Sequence, residues 1–402
     1  MKHHRLPDPL RASLPASMPA SMPASLTAAL LALALALTSC QANDSFADAE
    51  TLEPGGSPVT VGSTVPPTVH ADIPVVEDPP ATAPATTHEP WAPTEPCTVS
   101  ALLVPSCGAW LGATTPSRAP GADHSVGLAE YEMAAKNQPD ILHFYKTDAA
   151  VFPTRSEIAL AERPGHQRSI LFYNWKPSTE RSWREVADGA VDADIAAAAA
   201  GIPSYGHSIF LAIWHEPEND LEVHGTAEDY VAMYRHVVQR LRDLGVINVV
   251  YVINFMGFAR WSHVIDDFYP GDDVVDWIAY DPYGFESHAD LRELLDEREG
   301  AWPGFYSWAT TRAPGKPIML GEWGIDHVRQ PLAPSFLDRG VATLQRRFPD
   351  IKALVYWHDF TAPDGFVVRL DHDSPSREAY AEAYSRFAND PYFNSTNPDL
   401  AP

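Results

Sequence analysis

The 402-residue sequence predicts an α/β fold, a (β/α)₈ barrel. Three observations carry that prediction. Short apolar runs recur eight times after about residue 98, helical stretches separate them, and two of the runs lead into a glutamate. The runs are Gly108–Ala113, Ile141–Tyr145, Ser169–Tyr173, Ile209–Trp214, Val249–Ile253, Val275–Tyr280, Ile318–Leu320 and Ala353–Trp357. Each is too short for a helix and is bounded by polar or turn residues, the pattern of a strand buried on both faces of a parallel sheet. Eight such units, spaced roughly 30 to 40 residues apart, match a closed barrel. A doubly wound open sheet would place a Gly-rich phosphate loop after a strand, and no run is followed by one.

Taken in order, the chain begins with a targeting segment, residues 1–39. Lys2, His3, His4, Arg5 and Arg11 form a basic start, and Leu26 to Leu37 is a Leu/Ala run. That run has the length of a signal core and is short for a membrane span. It ends in Leu37-Thr38-Ser39-Cys40, which resembles a bacterial lipobox. Lipidation of Cys40 is expected, with export and attachment to a membrane through the lipid, an ordinary secretory signal being the alternative. Residues 40–96 are rich in Pro, Thr and Ala without an apolar period, so a disordered linker is expected. Residues 97–402 form the barrel domain. With Cys40 set aside, Cys97 and Cys107 are an even pair in an exported chain, and a disulfide between them is expected. Two cysteines without companion histidines do not make a zinc site, so neither metal nor cofactor is expected. The formal charge of −25 excludes the basic surface that nucleic acid requires and suits a neutral polysaccharide partner. A monomer is expected.

Between the runs, GTAEDYVAMYRHVVQRLRDLG reads as a helix. Thr226 caps it with Asp229, Tyr230, Tyr234, Val237, Leu241 and Leu244 line one face, and Gly245 ends it. The chemistry sits at two strand ends. SIFLAIWHEPEN presents Glu216 after strand four, and KPIMLGEWG presents Glu322 at strand seven. Carboxylates at the C-terminal ends of barrel strands are where such folds place catalytic groups. Barrel closure brings strands four and seven across the mouth, which could supply the separation of about 5–5.5 Å that a retaining glycosidase needs. Glu216 would be the acid/base and Glu322 the nucleophile.

WHEPEN and IMLGEWG, with GLAEYEMAAKNQPDILHFY, VADGAVDADIAAAAAG and FYPGDDVVDWIAYDPYG, resemble glycoside hydrolase family 26, which includes many β-mannanases and belongs to a retaining (β/α)₈ clan. The resemblance covers nearly all of residues 108 to 394. It implies that His215, directly before the acid/base, and Trp357, on strand eight, bind substrate. It also implies that Tyr283, in the Asp281-x-Tyr283 segment, hydrogen-bonds the nucleophile. One departure stands out. Family mannanases continue HEMNG and soon an aromatic, where this chain has HEPENDLEVHG, with Pro217 and Glu218 in place of Met-Asn. Expected function is therefore cleavage of a β-mannan-type polysaccharide. Another β-glycanase, a transglycosylase or a non-catalytic surface carbohydrate-binding protein are the alternatives.

Trp175, Trp214, Trp323 and Trp357 all lie near strand ends and are expected on the rim, where sugar faces stack on aromatic rings, although Trp214 could instead point into the wall. Trp110 reads as core. His143 on strand two and Asn174 after strand three would reach the substrate if they point inward. Asn254, ending strand five, is a weaker candidate. Glu218, Asp220 and Glu222 read as a solvated acidic loop.

Overall fold

A computed structural model of the protein describes residues 91, 93, 95–117, 123–359, 366–397 and 399. Cys40, the segment 1–39 and nearly all of 40–96 lie outside the described residues. Every described residue belongs to one compact unit, Asp72–Pro402.

All eight predicted runs are strands: Trp110–Thr114, Ile141–Thr147, Ile170–Lys176, Ile209–Ile213, Val249–Phe255, Trp277–Tyr280, Ile318–Ile325 and Ile351–Trp357. Each pairs in parallel with its neighbours. Strand one also pairs with strand eight and strand six with strand seven, so the sheet closes on itself as a (β/α)₈ barrel. A two-residue continuation of strand six, Tyr283–Gly284, pairs with the far end of strand seven. The helix Ala227–Asp243 has the predicted capping box between Thr226 and Asp229. Tyr230, Tyr234, Val237 and Leu241 are buried, but Leu244 falls beyond its last turn and is exposed.

Alternation along the strands sorts side chains into two apolar layers. Ile141, Phe172, Phe210, Val252 and Trp277 fill the barrel interior, whereas Tyr173, Leu211 and Ile253 pack outward against the helices. Trp110 belongs to the interior layer and is fully buried, as its reading as core requires.

The barrel floor comes from the segment before strand one. Leu103, fully buried with a left-handed φ of 58°, enters the interior layer. The indole N–H groups of Trp110 and Trp277 donate to the carbonyls of Leu103 and Leu102, both at 2.7 Å. The Cys97–Cys107 disulfide closes this loop at its base, across a sequence separation of 10. Cross-linking so short a loop stabilises by about 2–3 kcal/mol in the chain-entropy picture. Leu103 has no room to be replaced by neighbours tied into two indole hydrogen bonds. Leu103→Ala should therefore cost about 2–4 kcal/mol, measured by urea unfolding of residues 97–402.

Candidate active site

Two breaks in the strand alternation build the site. On strand four, Phe210 and Ala212 face inward, so Trp214 should follow. Instead Trp214 has a φ of 58° and turns into the helix layer, where its indole donates to Asp220 at 2.7 Å. This leaves His215 and Glu216, the latter also left-handed at 49°, at the mouth. The Glu216 N–H donates to the main-chain carbonyl of Asn254 at 2.8 Å, and the Asn219 amide donates to the Glu216 carboxylate at 3.1 Å.

On strand seven the second break is a register shift against strand eight between Leu320 and Trp323. Met319 faces inward, and continued alternation would send Glu322 outward and Trp323 inward. The shift reverses both. Glu322 enters the mouth, while Trp323 is fully buried in the outer layer against Tyr356 and Phe387. Strand seven thus runs on to Ile325 rather than ending at Leu320. The crossing is tight at Gly321, where an added Cβ would lie 1.9 Å from Asn254 Oδ1 and 2.8 Å from Asp281 Oδ1. Only glycine fits.

Glu322 is held by two phenols. Tyr283 Oη donates to Oε2 at 2.7 Å and Tyr145 Oη donates to Oε1 at 2.6 Å. Its N–H donates to Asp281 at 2.8 Å, and Asp281 also accepts from the Asn254 side chain at 2.6 Å. Burial raises the Glu322 carboxyl above the usual range, with both phenols opposing the rise. Glu216 is pushed up to about 8 by burial, then by the charges of Glu322 and Glu218, with Lys176 opposing. Asp281 is also raised well above its usual value, by burial first and then by Glu322 and Glu216. Two carboxyls therefore share one mouth in different settings: one held by two O–H donors, the other by a single amide.

Below them lies a polar floor. His143 is buried, bonded through Nδ1 to Thr114 Oγ1 at 2.8 Å and stacked on Phe172 at 4.3 Å. Burial pushes its ring down to about 3, so it is neutral. His215 is half-buried, edge-on to Tyr145 at 5.5 Å, and held well below its usual pKa by burial, Lys176 and His143. Asn174 is 1% exposed and lies beside His143, with no hydrogen bond of standard geometry to either amide atom among the described residues. The same holds for His143 Nε2, His215 Nδ1 and Asn254 Oδ1. Buried polar atoms without partners are costly in a folded chain and mark places where a polar ligand would be held. Among the described residues no three His, Cys, Asp or Glu side chains converge on a metal position.

Half-buried Trp357 ends strand eight and meets Tyr283 edge to face at 5.8 Å. Trp175 must be corrected. Ile170, Phe172 and Asn174 take the inward positions of strand three, so Trp175 points outward, fully buried against Phe152, with its indole on the Asp148 carbonyl. It cannot touch a substrate in the mouth. The acidic loop is also misread as solvated. Glu218 is 0% exposed, and Asp220 is bound by Lys176 and Trp214. Tyr145 escaped notice as a functional residue, although its inward parity with Ile141 and His143 was legible. Beside Tyr283 a cleft of about 260 Å³ opens, lined by Phe258, Arg260, Phe285 and His288 among others.

A closed parallel barrel with a half-buried and a buried carboxyl at its mouth, the second gripped by tyrosines, is the arrangement expected of a (β/α)₈ glycoside hydrolase. The chain is similar to glycoside hydrolase family 26. The family profile, described as Glycosyl hydrolase family 26, matches residues 212–298. Endoglucanase H of Acetivibrio thermocellus is 24% identical over 313 residues, which cover 73% of this chain and 32% of that protein. The chain thus spans about a third of the length of this curated relative. Among solved structures, the modular endo-β-1,4-mannanase of Cellulomonas fimi has a TM-score of 0.52 at 16% identity, over 73% of this chain and 74% of its own. The catalytic domain of the Bacillus sp. JAMB-750 endo-β-1,4-mannanase gives 0.51 at 15%, over 72% and 88%. At these identities the structural likeness speaks for the fold.

The raised Glu216 pKa has a consequence for stability. The folded chain keeps this proton to about pH 8, whereas an exposed glutamate loses it near 4.5. Between those values the folded state binds more protons, so stability falls as pH rises. Glu216→Gln removes that loss. Its thermal midpoint should exceed the wild type's by about 2 °C or more at pH 8, and by less at pH 5, in paired calorimetric scans.

Proposed function

We propose that this chain is a retaining β-glycanase acting by double displacement, with a β-mannan-type polysaccharide as substrate. Glu322 attacks the anomeric carbon and a glycosyl-enzyme ester forms as the bond to the leaving oxygen breaks. Glu216 gives that oxygen its proton. Glu216 then takes a proton from water, whose oxygen attacks the same carbon and frees Glu322. The observation that carries this reading is the paired grip of Tyr145 and Tyr283 on Glu322. Two phenol donors favour the ionised carboxylate that must attack, while Glu216, raised to about 8, retains the proton that must be given.

His143, Asn174 and His215 offer the unpartnered donors and acceptors that sugar hydroxyls would satisfy. Trp357 offers a ring face beside them. The substrate class draws support from the endo-β-1,4-mannanases whose barrels this one resembles. A second reading, a β-glucanase, rests on the endoglucanase relative and on the HEPEND loop that departs from the mannanase pattern. Sugar release from β-mannans, β-glucans and β-xylans by residues 97–402 separates them. Glu322→Gln should lower polymer cleavage at least 10³-fold, and Glu216→Gln on the order of 10²–10⁴-fold. The first-formed product should retain its anomeric configuration by NMR. Inversion sinks the mechanism, and binding without release by the wild type points to a carbohydrate-binding protein.

The same proposal places the enzyme outside the cytoplasm, tethered by lipid on Cys40. The full chain should partition into detergent and Cys40→Ala into the aqueous phase. Aqueous partitioning of both would favour plain secretion.

A further inference from the structure

The chain carries a carboxylate that the double-displacement scheme does not use. Glu218 lies two residues beyond Glu216, in the single 3₁₀ turn Pro217–Asp220, and is 0% exposed. Its two oxygens are separately engaged. Oε2 accepts the Met256 N–H at 3.1 Å and Oε1 the Gly257 N–H at 3.2 Å. Those amides belong to the chain just beyond strand five, where the backbone has left the ladder and has no strand partner to offer. Pro217 suits the start of such a turn, because its missing N–H is one the helix would leave unpaired anyway. The turn is fixed at its far end too, by Asp220 on Lys176 at 2.7 Å.

We infer that Glu218 is a positioning residue for the proposed acid/base, clamping the turn that carries Glu216 to the exit of strand five and placing a second negative charge behind it. This rests on the assignment of Glu216 as acid/base. The Glu216 N–H is tied to the carbonyl of Asn254, and Glu218 grips the same segment two and three residues further on. Together they set the direction of the intervening residues as a two-point mount. The charged groups around the pair come from several elements. Glu322 and Asp281 face Glu216 from strands seven and six, Lys176 from strand three and Tyr145 from strand two. Arg260 and Tyr230 face Glu218. Burial pushes Glu218 up to about 7, with the backbone amides and Arg260 opposing. The Glu218 charge is, after burial and Glu322, among the causes that raise Glu216.

A purely structural clamp and a charged positioning residue differ in what they move. Glu218→Gln removes the charge and keeps one of the two acceptor oxygens, its NH₂ facing the other backbone N–H. With it, the basic limb of kcat/KM on the cleaved polymer should move down by about 0.5–1 pH unit, about a two- to fivefold loss at pH 8. Hydrolysis of 2,4-dinitrophenyl β-mannobioside or β-cellobioside, whose leaving group needs no proton, should fall less than the polymer rate. Glu218→Leu, which also removes the remaining acceptor, should lower polymer kcat further. Carboxyl ¹³C titration of glutamate-labelled free protein reads the Glu216 shift without turnover, assigned by its loss in Glu216→Gln.

An unmoved Glu216 titration in Glu218→Gln overturns the inference, as does an equal loss on polymer and aryl glycoside. The two readings fail separately. If Glu216→Gln keeps the wild-type basic limb, the acid/base assignment is wrong. If Glu216→Gln abolishes that limb while Glu218→Gln leaves it in place, only the role of Glu218 is.

Discussion

Asn254 connects the two halves of the active site. Its carbonyl receives the Glu216 N–H, and its side chain donates to Asp281, which in turn receives the Glu322 N–H. One residue on strand five thus references the main chain under both carboxyls. The arrangement is needed because both glutamates occupy irregular backbone. A left-handed residue and a register shift take their amide groups out of the ordinary ladder, and a buried N–H must be paired somewhere. Asp281 and the Asn254 carbonyl are where they are paired. Gly321 permits this approach, since any side chain there would collide with Asn254 and Asp281.

Charge is handled by the same economy. Glu216, Glu218, Asp281 and Glu322 crowd one end of the barrel, and the cations facing them are Lys176 and Arg260. Fully ionised, the four would repel strongly in a low dielectric. Raised pKa values relieve that repulsion by keeping some of them protonated near neutral pH. Such a site is poised to hold and move protons, and the folded chain is less stable for it as the pH rises.

The barrel was legible because its strands are apolar on both faces and regularly spaced. The two glutamates were legible because each follows or interrupts an apolar run. Orientation was harder to read. Trp175 could have been placed by parity alone, since Ile170, Phe172 and Asn174 already claim the interior. Trp323 could not, because the shift that exchanges it with Glu322 depends on pairing with strand eight, which no local pattern encodes. Glu218 misled for a related reason. An acidic run reads as solvated unless one knows that two free amides of a distant strand exit await it. The floor loop was legible only as a cysteine pair, with the insertion of Leu103 hidden in an unremarkable sequence.

That floor bears on how the domain meets its surroundings. Cys97, where the preceding chain enters the barrel, belongs to the loop that seals the N-terminal ends of the strands, opposite the carboxyls. Any tug from upstream is delivered first to a covalently closed loop and to the Leu103 plug, not to the strands that carry Glu216 and Glu322. The rim with Glu216 and Glu322 is at the other end of the strands, so a load on Cys97 reaches it only through the length of the barrel.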